Sequence, residues 1–122
     1  MAILVVEDQP IDSKVVRTAL SHEGFAVRVV ADAEHAISEI QARTPFIIIM
    51  DLALPGMDGL SLTRILKEDP LTRCIGIIAV TAYTDRWHRR AAMNAGCDAY
   101  LVKPFGTRLL CAHVDDLAQK LI

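Results

Sequence analysis

Four apolar runs in this 122-residue chain each stop at a side chain able to bind ions or react. Ala2–Val6 ends at Glu7-Asp8, Phe46–Met50 at Asp51, Ile75–Val80 at Thr81, and Ala99–Val102 at Lys103. Gathered in one place, these residues give three carboxylates, a hydroxyl and an ammonium. Close carboxylates repel, each pair costing roughly 4 kcal/mol at about 4 Å and an effective dielectric near 20. Such a group calls for a cation. Oxygen donors without His or Cys suit Mg²⁺, with Mn²⁺ as the alternative, rather than zinc. A carboxylate beside Mg²⁺, with a Lys and a hydroxyl at hand, has the parts of a phosphoryl acceptor. Metal and Lys would offset charge on the transferring group, and the hydroxyl would bond one of its oxygens. The plainer account is that polar strand ends are ordinary and that Lys103 merely pairs with Asp51. Like charges are rarely gathered without use, which weighs against it.

The elements that must position these residues follow from apolar patterning. Phe46–Met50 has no polar break and lies between turn signals, as a strand buried on both faces does. The other strands are read at Ala2–Val6, Phe25–Val30, Ile75–Val80 and Ala99–Val102. Between them lie helical patterns. The first starts at Pro10, carries Ile11, Val15, Ala19 and Leu20 on its apolar stripe, and stops at Gly24. Asp32 caps a second helix with Ala36, Ile37 and Ile40 on one face. Asp58 caps a third with Leu62, Ile65 and Leu66, which Asp69-Pro70 ends. A fourth covers roughly Asp85 to Ala95 and stops at Gly96, and the last carries Leu110, Val114, Leu117 and Leu121. Five strands alternating with five helices predict an α/β fold with a parallel sheet covered on both faces. In such sheets ligands bind beyond the carboxyl ends of the strands, where Asp51 stands. No repeat or linker divides residues 1–122, which read as one domain.

Composition narrows the function classes. With 52% hydrophobic and 23% charged residues the chain is globular. A net charge of −2, from 13 basic and 15 acidic residues, gives no electrostatic case for nucleic acid or an anionic membrane. No apolar run nears the roughly 20 residues of a membrane span, and no basic segment precedes the first apolar run. Cys74, Cys97 and Cys111 form no C-x-x-C pair and read as reduced, packed thiols of a cytoplasmic protein.

With these motifs in hand, the whole chain resembles the receiver domain of bacterial two-component response regulators. The resemblance rests on Val6-Glu7-Asp8, on Met50-Asp51 followed by Leu54-Pro55-Gly56-Met57-Asp58-Gly59, on Val80-Thr81-Ala82, and on Tyr100-Leu101-Val102-Lys103-Pro104-Phe105, in order and at the family's spacing. It implies the doubly wound, flavodoxin-like strand order 2-1-3-4-5. It also implies that Asp51 is the phosphoacceptor, and that Asp8 and Asp51 ligate Mg²⁺ directly, Glu7 through water and Ala53 by its carbonyl. Thr81, with Ala82 beside it, matches the switch hydroxyl, and Lys103 matches the lysine that binds the phosphoryl group. Tyr100 matches the aromatic that turns inward on activation, and Lys103-Pro104 a peptide bond usually cis in the family. By the same resemblance, Ala53 and Tyr83 occupy positions that in the family influence attack of water on the acylphosphate. Departures are few: Leu54 stands where Met is common, Gly56 replaces a bulkier residue, and Gly106-Thr107 replaces the frequent Asp cap, leaving Thr107 to cap the last helix.

The implied function is a phosphorelay step. A histidine kinase or histidine phosphotransfer protein gives its phosphoryl group to Asp51, and the face made by the fourth helix, the fifth strand and the fifth helix changes shape for a downstream protein target. That face carries Arg86, Trp87, Arg89, Arg90 and Tyr100. Trp87 has two readings, a partner contact or a ring buried against the fifth strand. His88 reads as part of a solvated helix turn. The chain is expected to be a stand-alone regulator, monomeric or weakly dimeric, that assists its own phosphorylation and dephosphorylation without being an enzyme in its own right. A receiver cut from a larger regulator, or one acting by binding alone, is the alternative. Other classes fail at their own motifs. A haloacid-dehalogenase-type phosphatase needs a second Asp where Ala53 stands, a nucleotide binder needs a G-x-G-x-x-G or P-loop, and Glu7-Asp8-Gln9-Pro10 would repel a flavin phosphate.

Overall fold

The computed structural model describes residues 1–121. Strands β1 (Ala2–Val6), β2 (Ala26–Val30), β3 (Ile47–Asp51), β4 (Gly76–Thr81) and β5 (Ala99–Val102) pair in parallel, in the order β2-β1-β3-β4-β5. Between and after them run α1 (Pro10–His22), α2 (Ala33–Ala42), α3 (Gly59–Glu68), α4 (Arg89–Ala95) and α5 (Thr107–Leu121). This is the expected fold.

Alternation along each strand splits the core in two. Leu4, Val6, Ile48, Met50, Ile77, Ala79 and Tyr100 pack on one face with α2, α3 and α4 residues such as Ile40, Leu62 and Ala92. Ile3, Val5, Ile47, Ile49, Ile78, Val80 and Leu101 pack on the other with Val16, Leu20, Leu110 and Val114 of α1 and α5. Two-sided burial locks the register, because a slip of one residue would exchange the two faces. The register pairs Val6 with Met50, Asp51 with Val80, and Thr81 with Val102. The polar residues that succeed or end these strands therefore reach one edge together.

Local signals fix the helix ends. Asp32 and Asp58 accept from the backbone N–H groups of His35 and Ser61, each at 2.8 Å, capping α2 and α3 as expected. Gly96 ends α4 at φ 110°, a left-handed conformation in which its N–H reaches the last carbonyls.

Several finer expectations are corrected. On α1, Ile11 and Val15 are exposed, and the buried stripe is Val16 and Leu20. On α3, Ile65 is exposed while Leu62 and Leu66 are buried, and on α5 Leu121 is 40% exposed. β2 begins at Ala26 rather than Phe25. Thr107 is the first residue of α5 rather than its cap; the carbonyl of Gly106 accepts from Leu110 N–H. Cys74 is exposed, against the expectation of a packed thiol, whereas buried Cys97 has its pKa pushed up to about 11 by burial, so it stays a thiol. α4 starts at Arg89, not Asp85, because the backbone just before it is engaged by β5.

Candidate functional site

β1 and β3 are central and buried, so the residues at their carboxyl ends are held at a fixed height. Glu7 continues β1 and Asp51 ends β3, and both are almost fully buried. One carboxylate oxygen from each of Glu7, Asp8 and Asp51 lies within 4.8 Å of the others. The expected acidic group thus forms in space. The loop beneath it is tightly fitted: a Cβ on Gly59 would lie 2.2 Å from the Asp51 carbonyl oxygen, so only glycine allows α3 to begin there.

Lys103 comes directly after β5, whose last residue pairs with Thr81, and its N–H donates to the Thr81 carbonyl at 2.8 Å. Its ammonium reaches Glu7 Oε1 at 2.5 Å, Asp51 Oδ2 at 3.0 Å and Asp12 Oδ2 at 3.2 Å. The plain pairing of Lys103 with Asp51 is therefore present, but as one of three. Burial opposes the Lys103 charge, yet hydrogen bonds to Glu7 and Asp51 outweigh it and hold the ammonium above its ordinary pKa. Burial also acts on Glu7, and with Asp51 beside it pushes its carboxyl up to about 7 despite the pull of Lys103. One lysine does not fully offset the buried negative charge. The oxygen donors and their residual charge fit a divalent cation of the Mg²⁺ type.

The other expected residues take distinct places around this group. Ala53 donates its N–H to Asp51 Oδ1 at 2.9 Å, aiming the carboxylate. Thr81 is fully buried, and its hydroxyl oxygen accepts from Tyr83 N–H at 3.0 Å, which leaves the hydroxyl proton free to donate. Ala82 is exposed and, with Glu7, Asp12, Lys103 and Pro104, lines a cleft of about 330 Å³. The Lys103-Pro104 peptide is cis, as expected.

The output-face residues divide. Trp87 is buried in the core rather than offered to a partner, and Arg86 lies over its ring at 4.5 Å. Tyr100 is also buried, with its ring already inward, and its hydroxyl donates to the Trp87 carbonyl at 2.5 Å. That bond explains the late start of α4, because the Trp87 carbonyl is turned to Tyr100 and His88 is extended at φ −83° and ψ 163°. His88 is exposed as expected, but as the cap of α4, where Nδ1 accepts from Ala91 N–H. Arg89 and Arg90 are exposed at the start of α4, with Arg89 over the Tyr100 ring at 5.1 Å.

Asp12 escapes a reading of the sequence. It sits in the first turn of α1, 91 residues from Lys103, and nothing local marks it. The available signal is an acidic residue in the first turn after a strand whose end is already acidic.

Among the described residues, no helix is long and apolar enough to cross a membrane. The family model for the response regulator receiver domain matches residues 3–115. The chain is 36% identical over 118 residues to the phosphate regulon transcriptional regulatory protein PhoB of Rhizobium meliloti, covering 97% of this chain and 52% of that protein. It thus spans about half the length of that curated relative. The signal receiver domain of a signal transduction histidine kinase from Syntrophus aciditrophicus superposes with a TM-score of 0.91 at 30% identity, covering 98% of this chain and 90% of that one. The receiver domain of the sensor histidine kinase PA1611 from Pseudomonas aeruginosa, solved with magnesium coordinated in its active site cleft, gives 0.86 at 34% identity over 95% of each chain. Matched motifs, strand order and acidic edge agree, and this chain belongs to the response regulator receiver domain family of two-component signalling.

Proposed function

We propose that Asp51 is the phosphoacceptor of this receiver, with a histidine kinase or histidine phosphotransfer protein as donor. The observation that carries the reading is the Lys103 ammonium 3.0 Å from Asp51 Oδ2, beside a buried group of three carboxylates. Asp8 and Asp51, Glu7 through water and the Ala53 carbonyl would hold Mg²⁺ or Mn²⁺. The ion supplies charge that offsets the phosphoryl oxygens as they approach the carboxylates.

An Asp51 carboxylate oxygen attacks phosphorus in line. The new O–P bond forms as the P–N bond to the donor imidazole breaks, and the imidazole leaves with that electron pair. Ala53 N–H holds the other oxygen and so orients the nucleophile. Lys103 binds one phosphoryl oxygen, and the free proton of the Thr81 hydroxyl binds another, with Ala82 N–H beside it. The chain in this way assists its own phosphorylation, and the same groups serve when water removes the phosphoryl group.

Movement of Thr81 toward the phosphoryl oxygens pulls on Tyr83, whose ring lies edge-on to Trp87 at 6.2 Å, and Trp87 is tied to Tyr100. Arg86, Arg89 and Arg90 then present a changed face to a downstream protein target. The chain acts in the cytoplasm as one receiver domain over residues 1–122, monomeric or weakly dimeric.

Labelling with acetyl phosphate and Mg²⁺ tests the central claim. Wild type takes up acid-stable, hydroxylamine-labile phosphate, and Asp51→Asn loses it. Undiminished labelling of that variant rejects the assignment.

A further inference from the structure

An ammonium has three N–H donors. In Lys103 all three are engaged by carboxylates, those of Glu7, Asp51 and Asp12. The three partners are not equivalent. Glu7 and Asp51 belong to the acidic group that a divalent ion would claim, and their side chains are each 5% exposed. Asp12 lies outside that group, and its side chain is 48% exposed. Its hold on Lys103 therefore does not depend on whether an ion has drawn the other two away. A phosphoryl oxygen that recruits Lys103 must take an N–H from one of these partners, and the half-exposed carboxylate is the one that water can most readily satisfy afterwards.

We propose that Asp12 is a positioning residue that acts through Lys103. It occupies an N–H that an incoming phosphoryl group needs, and so sets how strongly the site takes an anionic phosphodonor. Its own negative charge, borne beside the same ammonium, works in the same direction. The inference rests on reading Asp51 as the phosphoacceptor. Asp12 also stands in the first turn of α1, where a carboxylate favours the helix end whatever its partner, so the test must separate the two roles.

The full chain with Asp12→Asn, Asp12→Ala or Asp12→Glu is labelled by acetyl phosphate at saturating Mg²⁺ over a range of donor concentrations. Initial rates give a half-saturating concentration and a maximal rate for each, and melting temperatures are measured alongside. Asn and Ala lower the half-saturating concentration about five-fold, the factor that corresponds to one ion pair of ~1 kcal/mol. Their maximal rates stay within about two-fold of wild type, and Glu restores the wild-type concentration. A half-saturating concentration that does not fall, with or without a lower melting temperature, leaves Asp12 only a helix-end role and overturns the proposal. A lower maximal rate at unchanged half-saturation overturns it too. A wild-type chain that takes no label removes the phosphoacceptor reading and this proposal together, whereas a labelled wild type indistinguishable from Asp12→Asn removes this proposal alone.

Discussion

Two lysines tie down opposite edges of the same sheet. Lys103 lies past the end of β5, and Lys67 of α3 reaches the edge where β4 and β5 begin. Their side chains are equally sheltered, at 17% and 19% exposure, so partners rather than burial distinguish them. Lys67 donates to the carbonyls of Arg73 at 3.1 Å and Ile75 at 2.7 Å, and meets the Asp98 carboxylate at 3.4 Å. Asp98 in turn accepts from Ile77 N–H at 2.8 Å. Within that contact one ammonium meets one carboxylate and two backbone carbonyls, so its two charges balance. Lys103 meets carboxylates with all its donors, and Asp8 lies beside two of them. That edge keeps surplus negative charge. At matched burial, then, one lysine meets a single carboxylate and the other meets three.

Removing each cation in turn sharpens the contrast. Lys103→Met leaves Glu7 and Asp51 buried without their counter-charge and should lower the stability of metal-free protein by about 3 kcal/mol. Mg²⁺ should restore part of that loss. Lys67→Met should cost about 1–2 kcal/mol through its unpaired carbonyls, with no response to Mg²⁺. Denaturant titrations with and without Mg²⁺ read both, and equal Mg²⁺ responses would erase the distinction. Asp98→Ala, which strips the acceptor from Ile77 N–H, should cost about 1 kcal/mol and leave acetyl phosphate labelling at the wild-type rate.

The smallest effect concerns pH. The Glu7 carboxyl, ordinarily near 4.5, is pushed up to about 7 in the fold, so the folded chain binds that proton more tightly than the unfolded one. The stability this gives is fully present below 4.5 and is lost as pH rises through about 7. Metal-free wild type should therefore melt a few degrees lower at pH 8 than at pH 6.5 relative to Glu7→Gln, a difference of ~1 kcal/mol. Melting curves of the pair that stay parallel across this range would show that Glu7 feels no surplus charge.

The carboxylate edge is largely legible in the sequence because its residues succeed apolar runs without a break. A fully buried strand such as Ile47–Met50 has one reading, and the polar residue after it has one place to go. Helix faces are less legible. Ile11 and Val15 form one apolar stripe on α1, Val16 and Leu20 another, and spacing alone cannot choose between them. The start of α4 is hidden for a different reason: it is set by a hydrogen bond between Tyr100 and Trp87, a tertiary contact that overrides local propensity. Asp12 is hidden in the same way, since its partner Lys103 lies at the far end of the chain.

Trp87 is the chain's one tryptophan, and it sits where the loop before α4 meets β5. Its ring touches the Arg86 guanidinium and the Tyr83 ring while its carbonyl holds Tyr100. Ultraviolet emission excited in the indole band therefore arises from a single, known place, beside Tyr83 and Arg86. The molecule carries a native optical label there, so that any change in the surroundings of this ring can be followed in solution without attaching a dye.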